Sequence, residues 1–217
     1  MNLDELNKKY KDLSYEERIL TLYDDFPPEK VLLTSSFGTT SAFLLHLFSR
    51  LRKDQPVHFI NTTYLFQETL DYKDELVTMF GLNVVEVKPE DWKNEFTKND
   101  ETWTKDPDLC CSINKVEPLE KIKAEYDIWV SGLMGYQSKF RKRLPIFENK
   151  RGIIKFYPLI DVTEEQRDAY IAEHKLPFHP LKEEGYASVG CAQCTVKGKN
   201  REGRWEGSSK TECGLHL

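Results

Sequence analysis

The chain has 217 residues, of which 39% are hydrophobic and 31% charged, a composition typical of a protein that folds around one sizeable core. No stretch reaches the roughly 20 apolar residues that cross a bilayer, and the N-terminus lacks the basic start and apolar run of a secretion signal, so we expect a cytoplasmic protein without a membrane partner. With 36 acidic and 31 basic residues the formal net charge is -5, which excludes nucleic acid as an expected partner and requires a local basic pocket for any anionic ligand.

In chain order, the pattern predicts a helical lead-in over residues 1–30, with two short helices within 3–24, followed by alternating strands and helices. Predicted strands lie at 31–34, 57–60, 83–87, 128–132 and 152–157, and predicted helices begin near Ala42 and span about 67–80 and 116–126. Such alternation requires right-handed crossovers and a sheet covered on both faces. The predicted fold is therefore α/β, a doubly wound and mostly parallel sheet, with its core over residues 31–180.

The C-terminal part has a different composition. A capping box at Thr163–Gln166 predicts one more helix to about Lys175. Residues 181–217 are rich in Gly, Lys, Arg and Cys and have little hydrophobic period, and a segment of this length without structure is expected to be functional or disordered. We interpret residues 1–217 as a single domain with a functional C-terminal tail.

The turn Ser35–Ser41 is the first candidate site. It joins a predicted parallel strand to a helix, where backbone N–H groups and hydroxyls can bind an anion. The glycines and lysine of a Walker loop are absent, and an ordinary helix N-cap is the alternative interpretation.

The cysteines form the second candidate site. The pair Cys110-Cys111 and the pair Cys191 and Cys194 together offer four thiolates, enough for a tetrahedral zinc site or an iron–sulfur cluster. An odd total of five cysteines without an export signal argues against a disulfide framework. A redox-active Cys-x-x-Cys and unrelated buried cysteines are the alternatives.

The fifth cysteine, Cys213, lies in a Gly-flanked segment near the C-terminus, which is typical of a mobile nucleophile, or of an incidental surface thiol. Two basic runs, 139–143 and 197–204, indicate either solvated faces or local capture of a phosphate or sulfate. The tryptophans Trp103 and Trp205 are predicted to be packing residues.

Several motifs taken together resemble the assimilatory adenylyl-sulfate and phosphoadenylyl-sulfate reductases, from about residue 30 to the C-terminus and in the family's order. They are Ser35-Ser36-Phe37-Gly38, the segment 61–69, Cys110-Cys111 followed by 115–119, Gly190 to Thr195, and Glu212-Cys213-Gly214-Leu215-His216. The resemblance implies an adenine-nucleotide alpha-hydrolase-like fold and a [4Fe-4S] cluster bound by Cys110, Cys111, Cys191 and Cys194. It also implies that Cys213 attacks the sulfate sulfur, that AMP leaves, and that thioredoxin or a glutaredoxin-like thiol then releases sulfite.

By the same resemblance, the substrate-binding residues lie in the loop, in the segment after the second strand and among the cations. They are Ser35, Ser36, Phe37, Gly38, Thr39, Thr62, Leu65, Lys115, Arg141, Arg201 and Arg204. The chain departs from the family where Met134-Gly135 replaces a usual pair of arginines, and Lys139 or Arg143 are candidates to compensate. A homo-oligomer is compatible with the sequence.

Four functions stay open at this stage. The first is a reductase of adenylyl sulfate, and the second is a reductase of 3'-phosphoadenylyl sulfate, which would need an additional cation near the ribose. The third is an ATP-pyrophosphatase of the same fold, which would need a Ser-Gly-Gly-x-Asp-Ser loop that residues 35–41 lack. The fourth is a non-enzymatic iron–sulfur protein, which the missing arginines allow and Cys213 disfavours.

Overall fold

A six-stranded sheet is the framework of the computed structural model, which describes residues 2–207, 210 and 212–215. The strands are β1 Val31–Ser35, β2 Val57–Ile60, β3 Val84–Val87, β4 Ile128–Val130, β5 Phe147–Lys150 and β6 Ile153–Phe156. Their order is β3-β2-β1-β4-β6-β5, and every adjacent pair is parallel except β5 with β6. The predicted α/β fold with a mostly parallel sheet is confirmed.

Helices precede, connect and follow the strands. They are α1 Leu3–Tyr10, α2 Tyr15–Asp25, α3 Ser41–Leu51, α4 Gln67–Phe80, α5 Asp91–Asn99, α6 Thr102–Lys105, α7 Pro107–Cys111, α8 Glu117–Lys123 and α9 Glu164–Glu173. Capping boxes at Ser14 and Thr163 begin α2 and α9, each satisfying backbone N–H groups of the first turn. The two lead-in helices and the helix over 67–80 are confirmed, whereas α5, α6 and α7 were not predicted because their apolar residues are few.

The edge strand β5 was also not predicted. It pairs with β6 through a two-residue turn in which Arg151 and Gly152 have φ values of 51° and 82°. Positive φ at both central residues is typical of the hairpin turns that match strand twist. Of the strand itself, Phe147 is buried while Glu148 to Lys150 are polar, so the sequence carries little strand signal.

Hydrophobic residues cover both faces of the sheet. On one face, Val31 and Leu33 of β1 pack in a large cluster with Phe43 and other side chains of α3. On the other face, a small cluster contains Leu32, Trp129, Ile153 and Leu119 of α8, with Leu215 of the tail packed against it. Because successive residues of β1 point to opposite faces, the strand must be apolar throughout, which explains its continuous hydrophobic run.

The chain reverses its direction of progress across the sheet between β1 and β4. Strands β2 and β3 extend to one side of β1, and β4 and β6 extend to the other. Connections leaving the carboxyl ends of β1 and β4 therefore diverge, and in open α/β sheets the crevice between them is where ligands bind. The turn after β1 and the residues after β4 both lie at this position.

None of the helices in the described part of the chain is both long enough and apolar enough to cross a membrane.

Candidate active site

A cavity of about 250 Å³ opens at this crevice. Its wall includes Ser131, Gly132 and Leu133, which follow β4. Ten of the residues predicted to bind substrate or to act as nucleophile also lie in its wall: Ser35, Ser36, Gly38, Thr39, Leu65, Lys115, Arg141, Arg201, Arg204 and Cys213. The fold thus brings together residues that are up to 178 positions apart in sequence, from 35 to 213.

The loop after β1 is fixed by one aromatic side chain and one contact to the tail. Phe37 has a φ of 48° and a fully buried ring, which meets the ring of Phe59 edge-on with centroids 5.3 Å apart. Thr39 Oγ1 donates to the Ala187 carbonyl at 3.1 Å. The side chain of Phe37 therefore anchors the loop from inside the core, and Phe37 is not in the cavity wall.

Thr62 also lies outside the cavity wall. Its hydroxyl is buried and lies 3.2 Å from Cys191 Sγ, and it accepts the Tyr64 backbone N–H at 3.3 Å. Leu65, three residues later, does line the cavity and forms a β-bridge with Cys191. Phe37 and Thr62 both lie behind the cavity wall and hold neighbouring residues in place. The substrate contacts predicted for them stay predictions.

The four cysteines predicted as ligands lie together beside the cavity. Cys110 and Cys191 pack in a small cluster with Tyr64, and Cys194 packs against it. Burial raises the pKa of Cys110 to about 12, and the pKa of Cys194 to about 11, with charges on the neighbouring cysteines adding to both shifts. The thiolates of Cys110 and Cys194 are therefore disfavoured here unless a positively charged centre stabilises them.

Hydrogen bonds and cations surround these sulfur atoms. Asn114 Nδ2 lies 3.6 Å from Cys110 Sγ, in addition to the Thr62 contact with Cys191. Burial raises the pKa of Cys191, but the nearby Lys115 cation and the Thr62 hydrogen bond outweigh it and leave the pKa below its ordinary value. Hydrogen-bond donors around thiolates are typical of metal-bound sulfur.

Lys115 lies between the cysteines and the cavity. It is carried by a π-helical turn, Ser112–Val116, between α7 and α8, a distortion frequent at functional sites. Burial lowers the pKa of its ammonium, but the charges of Cys191 and Cys111 outweigh burial and raise the pKa. Lys115 thus stays charged while it lines the anion cavity.

Within residues 2–207, 210 and 212–215, no group of three or more His, Cys, Asp or Glu side chains is arranged to hold a single metal ion. A mononuclear zinc ion needs four ligands at about 2.0–2.3 Å in a tetrahedron. The described residues thus contain no preformed mononuclear site, and both the zinc and the iron–sulfur interpretations of the cysteines stay predictions.

Arg204 is held by backbone in the tail. Its Nη1 donates to the Val189 carbonyl at 3.0 Å, and its guanidinium packs so closely on Gly190 that an added Cβ there would overlap it. This close approach is the physical reason for glycine next to Cys191. The same contact ties the cation wall of the cavity to the segment that carries Cys191.

Arg141 and Arg201 share one buried carboxylate. Glu212, only 1% exposed, accepts Nε and Nη2 of Arg141 at 2.8 Å each and Nη2 of Arg201 at 3.1 Å. Burial, and then repulsion by Arg141, lower the pKa of Arg201 to about 10. Glu212 is the residue before Cys213, so this network fixes the position of Cys213, the predicted nucleophile, at the cavity.

The other side of Cys213 is held as well. Leu215 packs on the Trp129 cluster, and its carbonyl accepts Lys155 Nζ at 2.6 Å. Lys155 is fully buried, lies 4.1 Å from the Trp129 ring centroid, and burial lowers its pKa to about 8. Cys213 itself is partly exposed, and His216 of the same motif lies outside the described residues.

Sequence reasoning missed part of the cavity wall. Tyr136, Gln137, Glu164 and Arg167 line it, and Arg167 is a buried cation. Arg167 is paired with Glu164 at 2.9 Å and Asp168 at 2.7 Å, and it also bonds the Tyr136 hydroxyl. Arg167 reads in sequence as an ordinary position of α9, so no signal marked it.

Two cations predicted to compensate for the missing arginines do not line the cavity. Lys139 and Arg143 are both exposed and lie outside its wall. Met134 and Gly135, which the resemblance sets against a usual pair of arginines, are buried, and an added Cβ at Gly135 would meet the Ile160 carbonyl. Neither residue is part of the cavity wall.

Comparison with known proteins gives consistent matches. A curated relative from Bacillus mycoides (strain KBAB4), named adenosine 5'-phosphosulfate reductase, is 38% identical over 204 residues, 90% of this chain and 87% of its own length. A protein of the same name from Halalkalibacterium halodurans is 36% identical over 225 residues, covering 100% of this chain and 97% of its own.

Solved structures with a similar fold include a reductase of the same kind. The phosphoadenylyl-sulfate reductase from Candida auris, crystallised with phosphate, superposes with a TM-score of 0.77 and 30% identity over 89% of this chain and 95% of that one. An NH3-dependent NAD synthetase from Campylobacter jejuni, 16% identical with a TM-score of 0.56 over 86% and 79% of the chains, shares the fold alone. The family model described as the phosphoadenosine phosphosulfate reductase domain matches residues 30–197. Since that match covers most of the chain, the chain belongs to the phosphoadenosine phosphosulfate reductase domain family.

Proposed function

We propose that this protein is a thiol-dependent oxidoreductase that converts adenylyl sulfate to sulfite and AMP. One observation carries the proposal: the Cys213 residue lines the same cavity as Lys115, Arg201 and Arg204. A thiol among cations suits attack on a centre that carries anionic oxygens. The names of the relatives supply the substrate class.

In the first step, the Cys213 thiolate attacks the sulfate sulfur. A new S–S bond forms, the bond between that sulfur and the bridging oxygen breaks, and AMP leaves with the electron pair on its phosphate. A thiosulfonate then remains on Cys213. Attack of an anion on an anion is opposed by charge repulsion, which Lys115 and Arg204 reduce by neutralising the oxygens.

In the second step, an external thiol attacks Cys213 Sγ. The S–S bond to the sulfonate breaks, sulfite leaves with the electron pair, and a mixed disulfide remains for a second thiol to reduce. We propose thioredoxin or a glutaredoxin-like protein as the thiol source, because the reaction consumes two electrons supplied by thiols. A cytoplasmic location suits that reductant, and a homo-oligomer is compatible with the proposal.

Adenylyl sulfate is proposed over its 3'-phosphorylated form. The 3'-phosphate adds up to about two negative charges, which require an additional unoccupied cation. Arg167 lines the cavity, but Glu164 and Asp168 already neutralise it. Extra negative charge near this group would meet two carboxylates, so we expect discrimination against the 3'-phosphorylated nucleotide.

A [4Fe-4S] cluster is proposed as the resident cofactor, with Cys110, Cys111, Cys191 and Cys194 as its ligands. The donor set of four thiols, their raised pKa values at Cys110 and Cys194, and the hydrogen bonds at two sulfurs support it. When bound, the cluster supplies a charged centre that joins the two cysteine segments. Thr62 and Asn114 orient two of the ligand sulfurs, and Lys115 balances their negative charge on the side of the cavity.

Anaerobic purification followed by iron, sulfide and zinc analysis tests the cofactor, and sulfite release from each nucleotide with thioredoxin tests the reaction. We expect iron and sulfide in equal amounts, and faster sulfite release from adenylyl sulfate when the two nucleotides compete. Stoichiometric zinc without sulfide would refute the cluster. Absence of sulfite from both nucleotides in an iron-loaded preparation would refute the enzyme activity.

A further inference from the structure

Trp205 stands between the cysteine ligands and the anion cavity. Its backbone N–H donates to the Cys194 carbonyl at 2.9 Å, and the residue is part of the cavity wall while only 4% of it is exposed. Its φ is 53°, in the left-handed region that bulky residues rarely adopt. Backbone strain at such a residue persists where the surrounding structure requires it, often at functional sites.

The indole Nε1 of Trp205 and the Nε of Arg204 are buried and have no hydrogen-bond acceptor among the described residues. A buried donor without an acceptor is destabilising, so native structures supply a partner from the protein, from water or from a ligand. The two residues are adjacent in the cavity wall, and the Arg204 guanidinium lies 4.6 Å from the Trp205 ring centroid. Two neighbouring orphaned donors indicate one acceptor-rich ligand.

The contacts of the Trp205 ring show which end of the cavity it faces. Arg201, which bonds Glu212 next to the nucleophile, lies 5.8 Å from the ring centroid. The Lys210 ammonium, three residues before Cys213, lies 5.5 Å from the same centroid. The indole is therefore beside the part of the tail that carries Cys213, the residue proposed to attack the sulfate.

We propose that the Trp205 indole N–H is a hydrogen-bond donor to a sulfate oxygen of the bound nucleotide, and so a substrate-binding residue of this site. The inference rests on the proposed function for the identity of the ligand. A neutral donor adds no charge to the cation cluster, yet its bond to an anionic oxygen strengthens as the oxygens gain charge during thiolate attack. Its ring packs against Arg204 and keeps that cation in position.

The test compares Trp205→Phe with Trp103→Phe, prepared anaerobically. Trp103 packs beside Tyr64 and the cysteines but is not in the cavity wall, so it is the matched control. Binding of adenylyl sulfate and of AMP is measured separately from sulfite release, together with iron and sulfide content. For Trp205→Phe we expect roughly 10- to 100-fold weaker binding of adenylyl sulfate, AMP binding within about 2-fold of the parent, and full iron. Trp103→Phe should bind both nucleotides as the parent does.

Unchanged binding of adenylyl sulfate by Trp205→Phe overturns the proposal, and so does equal weakening of AMP, which would assign the N–H to the phosphate. Loss of iron and sulfide also overturns it, because the donor would then serve the cluster. If the phenylalanine variant does not fold, benzothienylalanine at position 205 removes the N–H while keeping the shape of the ring, and the same criteria apply. A parent that binds adenylyl sulfate but releases no sulfite contradicts the proposed function alone, since the binding comparison remains decisive for Trp205.

Discussion

The α/β core and the segment from Leu181 onward are stabilised by different kinds of contact. The core buries aliphatic and aromatic side chains on both faces of the sheet. Of the described residues from 181 to 215, the buried hydrophobic ones are Leu181, Val189, Cys191 and Trp205, beside the buried polar residues Thr195, Arg204 and Glu212. The first region depends on apolar burial, and the second on ion pairs, hydrogen bonds and cysteines.

This difference has a functional consequence. Apolar packing tolerates little movement, because interiors are close-packed. The Glu212 contacts with Arg141 and Arg201 are polar and lie outside the aromatic core, so we expect the segment that carries Cys213 to open before the core does. The proposed nucleophile therefore lies on the region that depends on polar contacts.

The largest expected effect is a loss of activity at Cys213 that leaves the core and the proposed cluster site unchanged. Cys213→Ser should lower sulfite release at least about 1,000-fold, because a hydroxyl is a far weaker nucleophile than a thiolate. Iron content, AMP binding and the melting temperature should stay as in the parent, since Cys213 is not a proposed ligand and is not part of the core. Sulfite release at the parent rate would refute the catalytic assignment.

Cys191→Ser should disrupt the tail and leave the core folded. Loss of one thiolate of four weakens cluster binding, so we expect most of the iron to be lost and sulfite release to fall at least about 100-fold. Limited proteolysis should cut after residue 181 faster than in the parent. Cys213→Ser is the control that retains iron, and a Cys191→Ser protein with full iron would contradict the ligand assignment.

A core substitution should show the opposite pattern. Phe43 is fully buried against Tyr15 and Tyr170, and Phe43→Ala is expected to lower the free energy of unfolding by about 3–5 kcal/mol. Chemical denaturation measures this, and Phe96→Ala, at a residue 51% exposed, is the matched control expected to change it by less than about 0.5 kcal/mol. The iron content of Phe43→Ala at low temperature, without denaturant, should equal that of the parent. A lower iron content under these conditions would mean that the two regions are coupled.

Glu212→Gln tests the contact that docks the nucleophile. The amide keeps the shape but loses the charge shared by Arg141 and Arg201, so we expect kcat to fall about 10- to 100-fold while AMP affinity does not decrease. Glu206→Gln, at an exposed position of the same segment, is the control. A higher KM with an unchanged kcat would show that Glu212 acts on substrate binding and not on the tail.

The smallest effect concerns the junction of the two regions. His179 is fully buried, its Nδ1 accepts the Leu181 N–H at 3.2 Å, and burial lowers its pKa to about 4. Between pH 6.5 and 4 the unfolded chain binds the proton and the folded chain does not, so stability falls as pH falls through that interval. From pH 7 to 5 we expect a loss of about 2 kcal/mol from this group.

Urea denaturation of the parent and of His179→Asn at both pH values isolates this contribution, because the carboxylates are common to both proteins. Equal pH dependence in the two proteins would show that His179 does not control the junction.

Local signals in the sequence were sufficient for the elements of the core. Continuous apolar runs at Val31–Leu33 and Val57–Ile60 and the capping box at Thr163 predicted the observed strands and helix, because these depend on neighbouring residues alone. The number and spacing of the cysteines gave the candidate metal site, and the resemblance of the motifs to a known family gave the four-iron cluster and the roles of the cations. Strand β5 and helices α5 to α7 carry weaker local patterns, and they form where the rest of the fold provides a surface for them.

Only the tertiary structure decided how the polar residues pair. Glu212 is a tail residue in the sequence, and the fold makes it the shared partner of Arg141, 71 positions away. Arg167 reads as a surface position of α9, yet the crevice places it in the cavity wall between two carboxylates. Trp205 was predicted to be a packing residue, and the structure gives it a buried donor without an acceptor. Strong local patterns mark most core elements within a few consecutive residues, whereas the charge and hydrogen-bond partners of a site depend on distances that exist only after the chain has folded.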